Sequence, residues 1–148
     1  MKLASAMSLA VLILTSTPAP AQIAEFSQLP FNGFYCSDPA GNPNCAKMVD
    51  RLGADNRKAW KGDYQAQRNV AFCLSDGCDG MLIPNRSLGC AWRIIIIGSG
   101  SPKVDSTDTG NLKVYCSRLD AAERSTAQAQ AAAIFRAVYK REIGPVAW

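Results

Sequence analysis

The chain has 148 residues, with 16 Lys and Arg against 12 Asp and Glu, six cysteines and no histidine. Without histidine, neither a Ser-His-Asp triad nor a Cys-His pair can be assembled, and no catalytic residue is assigned. The net charge of +4 is dispersed: Lys58 and Lys61 flank Trp60, and Lys140 and Arg141 adjoin Tyr139, but no long basic stripe with interleaved aromatics exists, so nucleic acid is not an expected partner.

Residues 1–21, MKLASAMSLAVLILTSTPAPA, have a Lys near the start, an apolar run from Leu9 to Leu14 and Ala19-Pro20-Ala21 before Gln22. This is the layout of a cleavable bacterial secretory signal peptide, and the apolar run is far short of the ~20 residues a membrane span requires. A secreted or periplasmic location without a transmembrane anchor is therefore expected. All six cysteines, Cys36, Cys45, Cys73, Cys78, Cys90 and Cys116, lie in the exported part, where an even count favours three disulfides. With no CxxC pair and no His, zinc is the weaker reading, and neither metal nor cofactor is expected.

Residues 22–44 are rich in Pro, Gly, Asn and aromatics. Asn32-Gly33, Asp38-Pro39 and Gly41-Asn42-Pro43 mark turns, so the segment reads as an irregular N-terminal arm. Phe26, Phe31, Phe34 and Tyr35 are expected to pin it to the core, or else to form an exposed binding patch. Cys36 and Cys45 are close enough to close a small loop around the turns.

From Cys45 onward the pattern is helical, over a domain spanning 45–143 with a tail at 144–148. Met48, Val49, Leu52, Ala59 and Trp60 give the first helix an apolar side, with Asn44 as its expected cap. Gly62 stops it, and Asp63 caps a second helix with apolar positions Ala66, Val70, Ala71, Cys73 and Leu74, ending at Gly77. Asn85 caps a third from about Arg86 to Ile97, stopped by Gly98-Ser99-Gly100-Ser101-Pro102.

Four consecutive isoleucines, Ile94 to Ile97, favour a buried strand by propensity. With Gly98-Ser99-Gly100 after them they invite a dinucleotide loop, but Lys103 stands where the third Gly belongs. The spacing back to Asn85, Gly89 and Trp92 supports a helix instead.

Asp105 to Arg118 forms a further helix with Leu112, Tyr115, Cys116 and Leu119 near one face. Asp120-Ala121-Ala122-Glu123 has the form of a capping box opening a last helix, closed by Gly144-Pro145. Along that helix Ala133, Ile134, Ala137, Val138 and Arg141 recur at helical intervals.

The stretch from Gly62 to Gly100 resembles a Sel-one-like repeat, an α/α-hairpin relative of the tetratricopeptide repeat whose helices follow AxxxLGxxYxxG and DxxKAxxWYxKAAxxG. Gly62-Asp63 precede Ala66-Gln67-Arg68-Asn69-Val70-Ala71, Leu74 takes the aromatic position before Gly77, and Asn85, Gly89, Trp92 and Gly100 follow in one register. Asn111-Leu112 with Tyr115 resembles a degenerate second repeat, and Ala59 to Asp63 the end of a preceding one. The resemblance implies an all-α, compact stack of antiparallel α/α hairpins of about five helices, stabilised by disulfides because repeats that normally bury one another's faces are few. Ala71, Leu74, Gly77, Gly89 and Trp92 are its packing positions. In such a hairpin Cys73 and Cys90 face each other at similar height, which leaves Cys78 for Cys116; Cys78–Cys90 with Cys73–Cys116 is the other arrangement.

The function this implies is non-enzymatic: an exported protein-protein interaction scaffold or adaptor whose partner is another periplasmic or secreted protein. Trp60, Arg68, Asp76 and Asp79 are the candidate binding residues. The competing reading is a small cell-envelope hydrolase, or an inhibitor of one, acting through Asp76 and Asp79 as paired carboxylates. Asp76 and Asp79 as calcium ligands, and Ser99 or Ser101 with Lys103 as a Ser-Lys dyad, are weaker readings than a solvated loop and a helix end.

Overall fold

A computed structural model describes residues 34–148; the expected signal peptide and the arm up to Gly33, with Phe26 and Phe31, lie outside the described residues. Five helices follow in order, α1 (Cys45–Ala59), α2 (Tyr64–Gly80), α3 (Arg86–Gly98), α4 (Ser106–Cys116) and α5 (Ala121–Tyr139). The described residues contain no strand, only an isolated antiparallel bridge between Cys36 and Leu82. The architecture is an all-α stack of antiparallel hairpins.

Side-chain caps set most helix starts. Asp63 accepts a hydrogen bond from the Ala66 amide at 2.8 Å, and Asn85 one from the Leu88 amide at 3.1 Å. Asp105 and Asp120 each close a capping box, with Asp108 and Glu123 as reciprocal partners. Such caps satisfy amides that have no partner within the helix, at about 1 kcal/mol each. The expected cap at Asn44 is not formed: its own backbone is already helical and its side chain bonds no amide of the first turn. The preceding turn does this work, since the Asn42 carbonyl accepts from the Cys45 amide and the Asn42 side chain from the Asn44 amide.

Helix α3 is the centre of the stack and packs against α2, α4 and α5. That position explains why four isoleucines form a helix. Ile94, Ile95 and Ile96 are buried and Ile97 partly so, so apolar contact on nearly every side outweighs a propensity penalty of a few tenths of a kcal/mol per residue. Helix α5 lays Ala127, Ala131, Ile134 and Phe135 against the core, a stripe that starts earlier than the sequence pattern suggested. It also ends earlier, at Tyr139 rather than at Gly144. Lys140 takes a left-handed conformation, and the chain then folds back so that Arg141 donates to the Gly98 and Ser99 carbonyls. Ile143, Val146 and Trp148 return to the core surface.

The hairpin of α2 and α3 depends on a close approach. A Cβ on Gly89 would lie 2.7 Å from Ser75 Oγ, 2.9 Å from the Ser75 amide nitrogen and 3.0 Å from the Leu74 carbonyl carbon. Ala71 and Leu74 are buried beside it, and Trp92 is 1% exposed with its ring edge-on to Trp60 at 5.9 Å. Gly77 ends the regular part of α2: its φ is +85°, and the Leu82 carbonyl occupies the space a Cβ would need.

Three disulfides tie the described residues. Cys36–Cys45 is as expected, while the other two, Cys73–Cys78 and Cys90–Cys116, correct both arrangements anticipated from the hairpin. Gly77, Cys78 and Asp79 all have left-handed backbone, which swings Cys78 back over the last turn to within 4.2 Å, Cα to Cα, of Cys73. On α3 the side facing α2 is occupied by Gly89. Its neighbour Cys90 points about 100° away, to α4 and Cys116.

Gly89→Ala is expected to lower stability by a net ~1–2 kcal/mol in denaturant titration: the methyl group meets backbone that cannot move aside, which outweighs the ~1 kcal/mol that Ala gains in helix propensity. Trp92→Ala should cost more, about 3–5 kcal/mol, because it empties the junction of α1 and α3; an unchanged melting curve would place Trp92 outside the core.

Candidate functional site

A seam of polar side chains lies where α2 and α4 flank α3. On α2, Tyr64, Arg68 and Ser75 fall on one face at steps of four and seven residues, and on α4 Asp108 and Tyr115 do the same. Arg93 rises between them from α3, one turn after Gly89. The thin hairpin contact at Gly89 is what lets Arg93 reach Ser75.

Asp108 organises one end. Its side chain accepts from Tyr64 Oη at 2.6 Å and from the Asp105 amide at 3.2 Å, and pairs with Arg68 Nε at 3.1 Å. The Arg68 guanidinium also lies 5.5 Å from the centre of the Tyr64 ring. Burial, and then the bond to Asp108, push the Tyr64 phenol up to about 12, so Tyr64 is a neutral donor. Arg68, a candidate from the sequence, is thus a strut between α2 and α4. Trp60, another candidate, is half-buried against Trp92.

Arg93 occupies the middle and is 6% exposed. Its Nε donates to Ser75 Oγ at 3.2 Å, and Ser75 Oγ donates in turn to the Ala71 carbonyl at 2.6 Å. The guanidinium carbon sits 4.1 Å from the centre of the Tyr115 ring, a cation–π contact. Burial lowers Arg93 to about 10, partly offset by Tyr115, Asp76 and Asp108; it remains a cation at neutral pH.

At the other end Asp76 accepts from the Cys78 amide at 3.0 Å and from Tyr115 Oη at 3.3 Å. Here the seam opens into a hollow of about 180 Å³ walled by Ser75, Asp76, Pro84, Arg86, Tyr115 and Arg118. Asp79 is not part of it. It is exposed and lines a separate hollow of about 170 Å³ with Met48, Arg51, Phe72 and the Cys73–Cys78 disulfide. The left-handed turn that forms the disulfide parts the two carboxylates, so the paired-carboxylate arrangement expected for a hydrolase is split between two hollows. Ser99 and Ser101 serve the end of α3: Ser99 Oγ donates to the Ile96 carbonyl, and Ser101 Oγ accepts from the Lys103 amide. Among the described residues no three Cys, Asp or Glu side chains are placed to hold a metal ion.

A third surface lies beside the hollow. Residues 35–37 pair antiparallel with 81–83 through Ser37 N–H to the Met81 carbonyl and Ile83 N–H to the Tyr35 carbonyl, at 2.9 and 2.8 Å. Alternation then points Cys36 and Leu82 inward and Tyr35 and Ile83 outward. Tyr35 is 60% exposed and Ile83 56%, and both line an open hollow of about 580 Å³ with Pro84, Arg86 and Glu123. Of the arm aromatics expected to pin it, Phe34 packs on the core and Tyr35 does not.

The sequence candidates thus included Arg68 and Asp76 but missed Arg93, Asp108, Tyr115 and Ile83. Arg93 had a signal: it is the lone charge in the run from Leu88 to Ile97, and it stands four residues after the glycine that touches α2. Asp108 and Tyr115 had none, since their meaning depends on which side of α3 receives α4.

Asp108→Ala is expected to destabilise by about 3 kcal/mol in denaturant titration, since it strands Arg68 and opens the Asp105 capping box. Tyr64→Phe removes a single hydrogen bond and should cost about 1 kcal/mol. Comparison with protein-family models, with curated proteins and with solved structures found no match to this chain.

Proposed function

We propose that this protein is exported and acts without catalysis, as a binding protein that holds another periplasmic or secreted polypeptide, on a scaffold of the Sel-one-like hairpin kind. The observation that carries this reading is the outward pair Tyr35 and Ile83, two large apolar side chains held side by side by backbone hydrogen bonds over an open hollow. Apolar side chains in that position lose solvent only when a partner covers them. The base beneath them is stiff, because Cys36 is bonded to Cys45 and Ser37 Oγ donates to the Gly80 carbonyl. Little ordering entropy is then left to lose on binding.

Export rests on the signal-like residues 1–21 and fits the three disulfides, which persist in oxidising compartments. No described helix is long and apolar enough to cross a membrane. The hydrolase reading has less support, because Asp76 is engaged by Cys78 and Tyr115 while Asp79 lies in another hollow.

A photo-crosslinking side chain placed at Ile83 and, for comparison, at exposed Val114 on α4 tests the surface in the native cell. A discrete protein adduct is expected from position 83, absent from position 114 and lost when Tyr35→Ser is added at unchanged melting temperature. No adduct from position 83, or the same adduct from both, rejects the proposal.

A further inference from the structure

Arg93 is a buried guanidinium that forms no ion pair among the described residues. The ion pairs among the described residues are Arg68 with Asp108 and Arg136 with Glu142. Arg93 has a hydroxyl on Nε and a tyrosine ring against its plane, and its Nε bond to Ser75 is its one side-chain hydrogen bond among the described residues. Buried charges are ordinarily paired, because removing an ion from water costs several kcal/mol that a hydroxyl and a π face offset only in part. The two Nη groups, a parallel fork of N–H donors, have no oxygen acceptor among the described residues, and neither is fully buried.

Both side chains that Arg93 touches, Ser75 and Tyr115, are walls of the hollow of about 180 Å³. Arg86 and Arg118 complete that wall, and neither forms an ion pair among the described residues. Arg118 lies 5.2 Å from the Tyr115 ring centre. Arg86 is the first residue of α3, so the positive end of that helix's dipole adds to the field. Two guanidiniums, those of Arg86 and Arg118, therefore line one hollow against a single carboxylate, that of Asp76, and a third, Arg93, lies behind its Ser75 and Tyr115 walls. Asp76 is turned to other work, with one oxygen accepting from the Cys78 amide and the other from the Tyr115 hydroxyl that it holds in place.

We infer that the hollow between α2, α4 and the start of α3 is a carboxylate-binding site held by Arg86 and Arg118, with Arg93 adding positive charge from behind its Ser75 and Tyr115 walls. Charge and size select the ligand class. Guanidinium forks match a planar carboxylate with two parallel hydrogen bonds. The lining side chains carry a net charge of +1, Arg86 and Arg118 against Asp76, which a singly charged anion neutralises. The volume is several times the ~30 Å³ share of a water molecule, enough for a carboxymethyl or carboxyethyl group.

Pro84 and Arg86 line both this hollow and the larger one below Tyr35 and Ile83. Resting on the proposed polypeptide-binding function, the two form one recognition surface, for an apolar side chain next to an acidic side chain or a chain terminus.

The test uses the full exported, disulfide-bonded protein and acetate as probe, read from backbone amide NMR shifts at constant ionic strength in sodium chloride. Saturable shifts are expected at Ser75, Arg86 and Tyr115, with affinity falling about 10-fold or more in Arg118→Gln and in Arg86→Gln. Lys113→Gln, which removes the same charge from α4 away from the hollow, should bind acetate as the parent does. The Arg86 and Arg118 variants alter exposed side chains, so they keep the test valid if Arg93→Gln fails to fold. Shifts that grow linearly without saturating, or an affinity unchanged in both of these variants, overturn the site. Tighter binding of inorganic phosphate than of acetate overturns the carboxylate assignment. Because acetate needs neither Tyr35 nor Ile83, saturable binding beside a failed crosslink at position 83 would reject the polypeptide partner and leave the carboxylate site standing.

Discussion

The contact of Gly89 with the backbone of Leu74 and Ser75 is the constraint on which the rest of the structure depends. It lets α3 lie against α2 with no side chain between them, and each neighbour of Gly89 is thereby aimed. One residue on, Cys90 turns to α4 and forms the disulfide that fixes α4 to the centre. Three residues on, Trp92 drops into the junction with Trp60 at the end of α1. Four residues on, Arg93 is drawn into the same interface and meets Ser75. One missing Cβ thus sets the positions of a disulfide, an aromatic pair and a buried cation.

Two arginines on the same seam have opposite local economies. Arg68 sits at the rim, keeps part of its surface in water, and meets a carboxylate that also takes a tyrosine hydroxyl and a capping amide. Both carboxylate oxygens that Asp108 brings into the interior have donors, so the pair closes on itself and ties α2 to α4. Arg93 lies deeper and is stabilised by a hydroxyl and a ring, which leave its outer donors unspent. Closed networks rigidify, whereas the charge of Arg93 is compensated only in part.

The helical architecture was legible because its signals are local. Asp63, Asn85, Asp105 and Asp120 each cap a helix within three residues of themselves, and Gly77 stops one through its own φ. The isoleucine run was legible only in register with Gly89 and Trp92, since its propensity points the other way. What the sequence concealed depends on direction between helices. Cys73 and Cys90 share a height in an antiparallel hairpin, yet their side chains leave it in different directions, one to a left-handed turn and the other to α4. Asp76 and Asp79 are close in sequence and were natural to pair. Three left-handed residues, Gly77 to Asp79, are enough to send them to different hollows, and no periodicity announces such a turn at Cys78 and Asp79, which are not glycines.

The covalent ties are unevenly placed, and their placement bears on function. Cys36–Cys45 and Cys73–Cys78 both act near the segment from Gly77 to Pro84, and Cys90–Cys116 holds α4 against α3. Helix α5 has no disulfide. It is retained by Phe135 and Ile134 in the core, by Gln67, whose amide donates to the Ala59 carbonyl and to Tyr139 Oη, and by the return of Arg141 to the end of α3. Packing is sufficient where a long helix can bury a full apolar stripe. The loop from Gly77 to Pro84 cannot do so: it is short, its backbone is left-handed at four successive residues from Gly77 to Gly80, and Ile83 and Pro84 face solvent. Left-handed backbone at Cys78 and Asp79 costs about 1 kcal/mol or more per residue, so without cross-links this loop would be the first part of the fold to loosen. Two of the three disulfides are concentrated where apolar packing is least able to hold the chain, and that is the stretch that carries Ile83, Pro84 and, one step into α3, Arg86. The covalent framework therefore supports the exposed surface at least as much as the core.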